Sequence, residues 1–126
     1  MKFTVEKQDK YTLLQLLDEK LDSTLAPKLK SELVTYHAEG MKNLILDLSN
    51  VKYSDSSGLS ALLVANRLCS DSNGIFVLSG VKDHVMKLIK ISQLDSVLNM
   101  MPTVDEAVDA IFLNELESDL KENSKE

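Results

Sequence analysis

The chain has 126 residues, a length typical of one domain, and a formal net charge of -6. This negative balance argues against nucleic acids and anionic membrane surfaces as partners, because like charges repel. The single cysteine, Cys69, cannot form an internal disulfide, and no apolar run approaches the length of a membrane span. We therefore expect a cytoplasmic protein without membrane insertion.

The first half of the chain predicts a hairpin, a helix and a buried strand. Residues 3–7 and 11–17 flank a tight turn, and both have the composition of β-strands. Residues 22–24 (Asp-Ser-Thr) are good N-cap residues, and apolar residues follow at helical spacing as far as Gly40. Residues 44–48 form an almost continuous apolar run, which indicates a strand covered on both faces.

The middle of the chain predicts a polar connection, a second helix and a second buried strand. Residues 49–57 are polar and typical of turns. The helix that follows ends at Asn73 and Gly74, and residues 75–78 form another short apolar run. The apolar stripe of this helix consists of Leu59, Leu62, Leu63, Ala65 and Cys69.

The last third predicts two more helices and a short strand between them. Apolar residues in the segment 81–89 recur at the spacing of an amphipathic helix. Residues 97–98 are predicted to form an edge strand. Thr103 and Glu106 form a capping box for the last helix. The residues that this helix should bury are Val104, Ala107, Val108 and Ile111.

The resulting order of elements, β-β-α-β-α-β-α-β-α, predicts a single α/β domain. Strands that alternate with helices favour a parallel sheet, and the opening hairpin makes the sheet mixed, with four to five strands and about four helices. We assign residues 1–113 to this domain. Residues 114–126 are rich in charge and are expected to form a frayed or disordered C-terminal extension.

The connection from the first buried strand to the second helix is where chemistry is expected. Functional groups gather at the carboxyl ends of strands in open α/β sheets, and a helix start stabilises an anion. Ser54, Ser56 and Ser57 lie there beside Gly58, whose missing side chain would let a partner's backbone approach closely. The simpler interpretation is a well-capped helix start, with Asp55 or Ser56 as N-cap and no further role.

The string Asp55-Ser56-Ser57-Gly58-Leu59, which follows the predicted strand 44–48, resembles the signature of STAS domains. More closely, it resembles the bacterial anti-sigma factor antagonists. Residues 21–22 (Leu-Asp) resemble the family's Leu-Asp pair after the second strand, and the similarity covers residues 3 to about 112. The chain departs from the family at residues 18–20 (Asp-Glu-Lys), where the family usually has a glycine before that pair.

In that family, the second serine of the motif is phosphorylated by an anti-sigma factor that is also an ATP-dependent kinase, and a phosphatase reverses the modification. By position, the resemblance implies that Ser57 is the phosphoacceptor. It implies that Asp55 orients the serine or helps to position the kinase's phosphate and metal, and that Asp22 lies on the adjacent loop. The implied partner-binding residues are Asp22, Asp55, Ser56, Gly58 and Leu59. We expect the chain itself to need no cofactor or metal and to bind no nucleic acid.

Two other functions stay open at the level of sequence. STAS domains also serve as subunits of lipid or sulfate transporters and as scaffolds of stress-signalling complexes. The other alternative is an enzyme with Ser56 or Ser57 as nucleophile, but the G-x-S-x-G pattern of a nucleophile elbow is absent. The two histidines, His37 and His84, follow no strand end. We therefore expect no catalysis by this chain.

Overall fold

The computed structural model describes residues 1–124, and their order follows the predicted alternation of strands and helices. The elements, in chain order, are β1 (Phe3–Lys7), β2 (Thr12–Leu16), β3 (Lys20–Leu21), α1 (Ala26–Ala38), β4 (Leu44–Asp47), β5 (Tyr53–Ser54), α2 (Ser56–Asp71), β6 (Phe76–Ser79), α3 (Asp83–Ile91), β7 (Asn99–Met101) and α4 (Val104–Ser124). No helix among these described residues is long and apolar enough to cross a membrane.

The main sheet has five strands in the order β1-β2-β4-β6-β7. The pair β1 and β2 is antiparallel, and every other neighbouring pair in this sheet is parallel. The carboxyl ends of β2, β4, β6 and β7 therefore lie together, and we call this side the carboxyl end of the sheet. The two short strands β3 and β5 form a separate parallel pair. The α/β fold with a mixed sheet and four helices is thus confirmed.

The apolar run of β4 is explained by helices on both faces of the sheet. Leu44 and Leu46 lie in one core cluster, which also contains buried residues of α1, α2 and α3. The residue between them, Ile45, lies in a second cluster with Ala107 and Ile111 of α4. Since alternate residues of a strand point to opposite faces, α4 covers the face opposite to the other three helices.

A buried carboxylate ties three strands together at the carboxyl end of the sheet. Asp47, the last residue of β4, is only 5% exposed. Its Oδ1 accepts a hydrogen bond from the hydroxyl of Ser79 at 3.0 Å, and its Oδ2 accepts one from Ser49 at 2.7 Å. Gln15 of β2 donates to the same Oδ2 at 3.3 Å. Because a buried charge is costly unless it is hydrogen-bonded, these donors keep Asp47 compatible with the interior.

Two local predictions were wrong in this part of the molecule. The last strand is Asn99–Met101, whereas residues 97–98 were expected to form it. Leu98 is 4% exposed and packs into the core from the preceding loop, so its apolar character reflects burial outside a strand. Leu63 was placed on the buried stripe of α2, but it is 37% exposed, because the buried stripe runs through Leu62 and Ala65 instead.

Most of the C-terminal extension lies in helix α4, and its expected fraying stays a prediction. Helix α4 continues without a break from Val104 to Ser124, and residues 125–126 lie outside the described residues. Glu115 holds the helix to the domain, because its Oε1 accepts a hydrogen bond from Asn43 at 2.8 Å and lies 3.1 Å from the Lys42 ammonium. These contacts hold the pKa of Glu115 below its usual value, with the Asn43 hydrogen bond as the largest cause. The boundary at residue 113 stays a prediction.

Candidate functional site

The start of α2 is capped by Asp55, one of the two N-cap residues that the sequence suggested. Asp55 has an extended backbone (φ -118°, ψ -172°), and its Oδ1 accepts a hydrogen bond from the Gly58 N–H at 3.1 Å. Its carbonyl oxygen accepts from the Leu59 N–H, also at 3.1 Å. The N–H groups of Ser56 and Ser57 come before the first intrahelical hydrogen bond, at the positive end of the helix dipole.

The short pair β3–β5 brings the Asp22 loop beside this helix start. In the register of the pair, Leu21 lies opposite Ser54, so Asp22 and Asp55 are the next residues of the two segments. The Asp55 N–H also donates to the Leu21 carbonyl oxygen, at 3.4 Å. The structure therefore places Asp22 on the loop adjacent to the serines. The sequence assigned residues 49–57 to turns and missed this pairing, because strands of two residues carry no periodicity.

Asp22 holds a tight turn before α1 and does not cap that helix. Its Oδ1 accepts hydrogen bonds from the Thr24 hydroxyl at 2.6 Å and the Thr24 N–H at 3.0 Å. Helix α1 begins only at Ala26, with Leu25 in the N-cap position. The expectation that residues 22–24 cap the helix directly was therefore wrong, since the Asp22 side chain is used within its own turn. These hydrogen bonds, above all that from the Thr24 hydroxyl, lower the pKa of Asp22.

This arrangement predicts a pH dependence confined to the acid range. The pKa of Asp22 in the folded protein lies below the usual 3.8. The ionised Asp22 carboxylate therefore stabilises the fold fully at pH values above 3.8, and this stabilisation is lost as the pH falls through the folded pKa. We expect an NMR titration of the Asp22 carboxyl carbon to have its midpoint below 3.8. Thr24→Ala should move the midpoint upward, because the hydroxyl donor is removed.

The neighbouring Ser23→Ala variant is the control for that titration, since no hydrogen bond joins the Ser23 side chain to Asp22 among the contacts of the described residues. Its Asp22 midpoint should match that of the unmodified chain. An equal upward movement in both variants would contradict the assignment of the lowered pKa to the Thr24 hydroxyl.

Gly58 is required by the packing of the chain on itself. The residue is buried, and a Cβ at this position would overlap both the Leu21 carbonyl oxygen and the Ser54 hydroxyl oxygen. The structure gives this glycine a reason that the sequence did not suggest, because its close neighbours are β3 and β5 of the same chain. Leu59 is 5% exposed and belongs to the core. Partner contact through Gly58 or Leu59 stays a prediction.

The two motif serines differ in exposure. Ser56 is exposed, whereas Ser57 is partly buried and still reachable from solvent. One turn further along α2, the hydroxyl of Ser60 accepts a hydrogen bond from the Lys30 ammonium at 3.0 Å, which places a cation beside this helix face. Because the helix start is capped, the backbone that carries the Ser57 hydroxyl has little conformational freedom when another protein approaches.

Neither histidine is hydrogen-bonded to a serine of the motif among the contacts of the described residues. His37 Nδ1 is 3.2 Å from the Ser72 hydroxyl, at the opposite end of α2 from the motif. His84 stacks on Tyr53, with ring centroids 5.3 Å apart. In the described part of the chain, no group of three or more His, Cys, Asp or Glu side chains is arranged to hold a metal ion.

The Tyr53–His84 pair is a surface feature that sequence reasoning missed. Tyr53 is 43% exposed although it directly precedes Ser54 and the motif, and His84 at the start of α3 is exposed as well. The two rings are far apart in the chain, and only the packing of α3 against β5 brings them together. The pair adds an aromatic patch beside the helix start.

The chain is similar to proteins of one known family. A family model described as the STAS domain matches residues 2–107. BtrV of Bordetella bronchiseptica, provisionally named an anti-sigma factor antagonist, is 32% identical over 92 residues, which cover 73% of this chain and 78% of BtrV. The anti-sigma-B factor antagonist of Listeria monocytogenes is 30% identical over 80 residues, which cover 64% of this chain and 70% of the relative.

The fold is also that of a solved structure. The Bacillus cell fate determinant SpoIIAA in its phosphorylated form superposes with a TM-score of 0.70 at 22% identity, covering 87% of this chain and 99% of SpoIIAA. At this identity the likeness supports the fold alone. From the family match and the two relatives, the chain belongs to the STAS domain family and, within it, to the anti-sigma factor antagonists.

Proposed function

We propose that this protein binds an anti-sigma factor that is also a kinase, and that phosphorylation of Ser57 controls the binding. The observation that carries the proposal is the position of Ser57. It lies partly exposed at the capped start of α2, and the Asp22 loop lies beside it. The proposed partner-binding residues are Asp22, Asp55, Ser56, Gly58 and Leu59.

In the unphosphorylated state, the surface around Ser56 and Ser57 docks on the anti-sigma factor and releases the sigma factor. The kinase then transfers a phosphoryl group from ATP to the Ser57 hydroxyl, which loses its proton, and ADP leaves. ATP and the metal ion are supplied by the kinase, as in other phosphoryl transfers. A phosphatase returns the serine to its free hydroxyl by hydrolysis.

The surrounding residues have separate roles in this proposal. Asp55 fixes the first turn of α2 through its hydrogen bond to the Gly58 N–H, so the Ser57 hydroxyl is offered on a rigid backbone. The free N–H groups of the first turn and the helix dipole favour the phosphoryl group once it is attached. Asp22 and Asp55 add negative charge at the same surface. A partner that docks there contacts two carboxylates when Ser57 is unmodified, and two carboxylates and a phosphate when Ser57 is phosphorylated.

The test is phosphorylation by the cognate kinase with ATP and Mg²⁺, followed by mass mapping of the modified serine. The unmodified chain should gain one phosphoryl group on Ser57, and Ser57→Ala should lose at least about 90% of the incorporation, because the acceptor oxygen is missing. Ser56→Ala is the matched control and should still be phosphorylated. Equal incorporation into Ser57→Ala and the unmodified chain would show that the acceptor has been misassigned.

A further inference from the structure

Helix α4 carries an apolar stripe that faces solvent in its distal half. The stripe consists of four large side chains that are 49% to 59% exposed, Phe112, Leu113, Leu116 and Leu120. We call these four residues the distal stripe. In the proximal half the arrangement is the usual one, since Ala107 and Ile111 are fully buried against the sheet.

The amphipathic character of α4 therefore reverses along its length. In the distal half, the side that faces the domain is polar: Glu115 accepts a hydrogen bond from Asn43 and pairs with Lys42. Asn114 and Ser118, which lie on the same side of the helix next to Glu115, are also partly buried. A helix that serves only its own domain places its apolar side chains inward. The domain leaves the distal stripe largely uncovered, and several exposed large apolar side chains on one helix face indicate an interaction surface.

The spacing of the stripe is that of a helix–helix seam. Leu113, Leu116 and Leu120 are separated by three and then four residues, which is the alternation that keeps side chains facing a second helix. This seam is about 10 Å long at a rise of 1.5 Å per residue. Phe112 widens it on one flank and also makes an edge-to-face contact with Tyr11.

The charges around the distal stripe select among possible occupants. At 100° per residue, Asp119 lies next to Phe112 on one flank, and Glu117 lies next to Leu113 on the other. Asp105 and Asp109 continue the line of the stripe toward the start of the helix, and all four acidic residues are exposed. Lys121 lies farther round the helix than Glu117. A second copy of this chain would bring acidic flanks together, and an anionic membrane would be repelled.

We propose that the distal stripe binds an amphipathic helix of another protein, in which an apolar seam is flanked by lysine or arginine. Such a helix buries the four apolar side chains and pairs its cations with Asp119 and Glu117. Because α4 covers the face of the sheet opposite to α2, this surface is separate from the Ser57 site, and both are available at once. It also lies beyond residue 107, where the family match ends.

Two synthetic peptides test this proposal with the full chain. Both have the same leucine seam, and the seam is flanked by lysine in one peptide and by glutamate in the other. We expect fluorescence anisotropy to give the lysine peptide a Kd at least about tenfold lower than the glutamate peptide, with a difference that shrinks as salt is raised. Leu116→Glu should weaken binding of the lysine peptide at least about tenfold.

Val34→Glu is the matched control, because Val34 on α1 is 53% exposed and outside the stripe. It should bind the lysine peptide like the unmodified chain, and circular dichroism should show that both glutamate variants stay folded. Equal affinity for the two peptides, or binding of neither, overturns the proposal. Sedimentation velocity of the chain alone tests the other occupant. If the chain is a dimer and Leu116→Glu dissociates it, the proposal is overturned and the stripe binds a second copy of the chain.

Discussion

Phosphorylation of Ser57 is expected to weaken binding to the anti-sigma factor kinase at least about tenfold, which is about 1.4 kcal/mol. A phosphoserine adds about 1.5 to 2 negative charges and three strongly hydrated oxygen atoms. These oxygens must lose water when a partner covers the surface, and they would be attached at the helix start that Asp55 caps, with the Asp22 loop beside it. The free N–H groups of α2 stabilise the phosphoryl group in the unbound chain, which further favours dissociation.

The measurement is isothermal titration calorimetry of the nucleotide-bound kinase with chains that carry phosphoserine at chosen positions. Ser57→Ala should bind within about twofold of the unmodified chain, because it adds no charge. Phosphoserine installed at Ser70, which is exposed near the other end of α2, is the charge control and should leave the affinity unchanged. Equal weakening by phosphoserine at both positions would contradict a local effect at Ser57.

Gly58→Ala is expected to lower the free energy of unfolding by about 2 kcal/mol. The new Cβ would overlap the Leu21 carbonyl oxygen and the Ser54 hydroxyl oxygen. The carbonyl belongs to the backbone of β3 and cannot rotate away. Overpacking of this kind costs up to about 3 kcal/mol, and the better helix propensity of alanine returns about 1 kcal/mol at most. The packing loss therefore dominates, and urea unfolding monitored by circular dichroism measures it.

The same substitution should also disturb the site, because relieving the overlap pushes β3 and the Asp22 loop away from α2. We expect the Asp22 carboxyl resonance to shift in Gly58→Ala. Ser56→Ala, in the same helical turn but exposed, should stay within about 0.5 kcal/mol of the unmodified chain in stability. A similar stability for the two variants would mean that the first turn of α2 tolerates a side chain at Gly58.

Most of the fold could be predicted from the sequence because burial leaves a periodic signal. The runs 44–48 and 75–78 are apolar because helices cover both faces of the sheet, and the structure has strands at Leu44–Asp47 and Phe76–Ser79. The signal failed where apolar residues are buried without regular structure, as at Leu98. It also failed for β3 and β5, because a two-residue strand cannot show alternation.

The site could be predicted in part from local chemistry and in part from the resemblance. Helix capping alone suggested Asp55 or Ser56 as the N-cap, and the hydrogen bond from the Gly58 N–H shows that Asp55 has this role. The nearness of Asp22 was implied only by the resemblance, because it depends on the pairing of β3 with β5. The tight packing at Gly58 and the stacking of Tyr53 on His84 join distant parts of the chain, so no local pattern could indicate them.

The tight packing around Gly58 has a consequence for how phosphorylation of this protein can affect its partners. The first turn of α2 is held by the Asp55 cap and packs tightly against the β3–β5 pair. It therefore has little room to move and to transmit the effect of a modification into the interior. Under the proposed function, adding or removing a phosphoryl group then changes only the charge and shape of the protein surface. The phosphorylation state is then read by the partner that binds this surface, and the backbone of this protein does not have to change conformation.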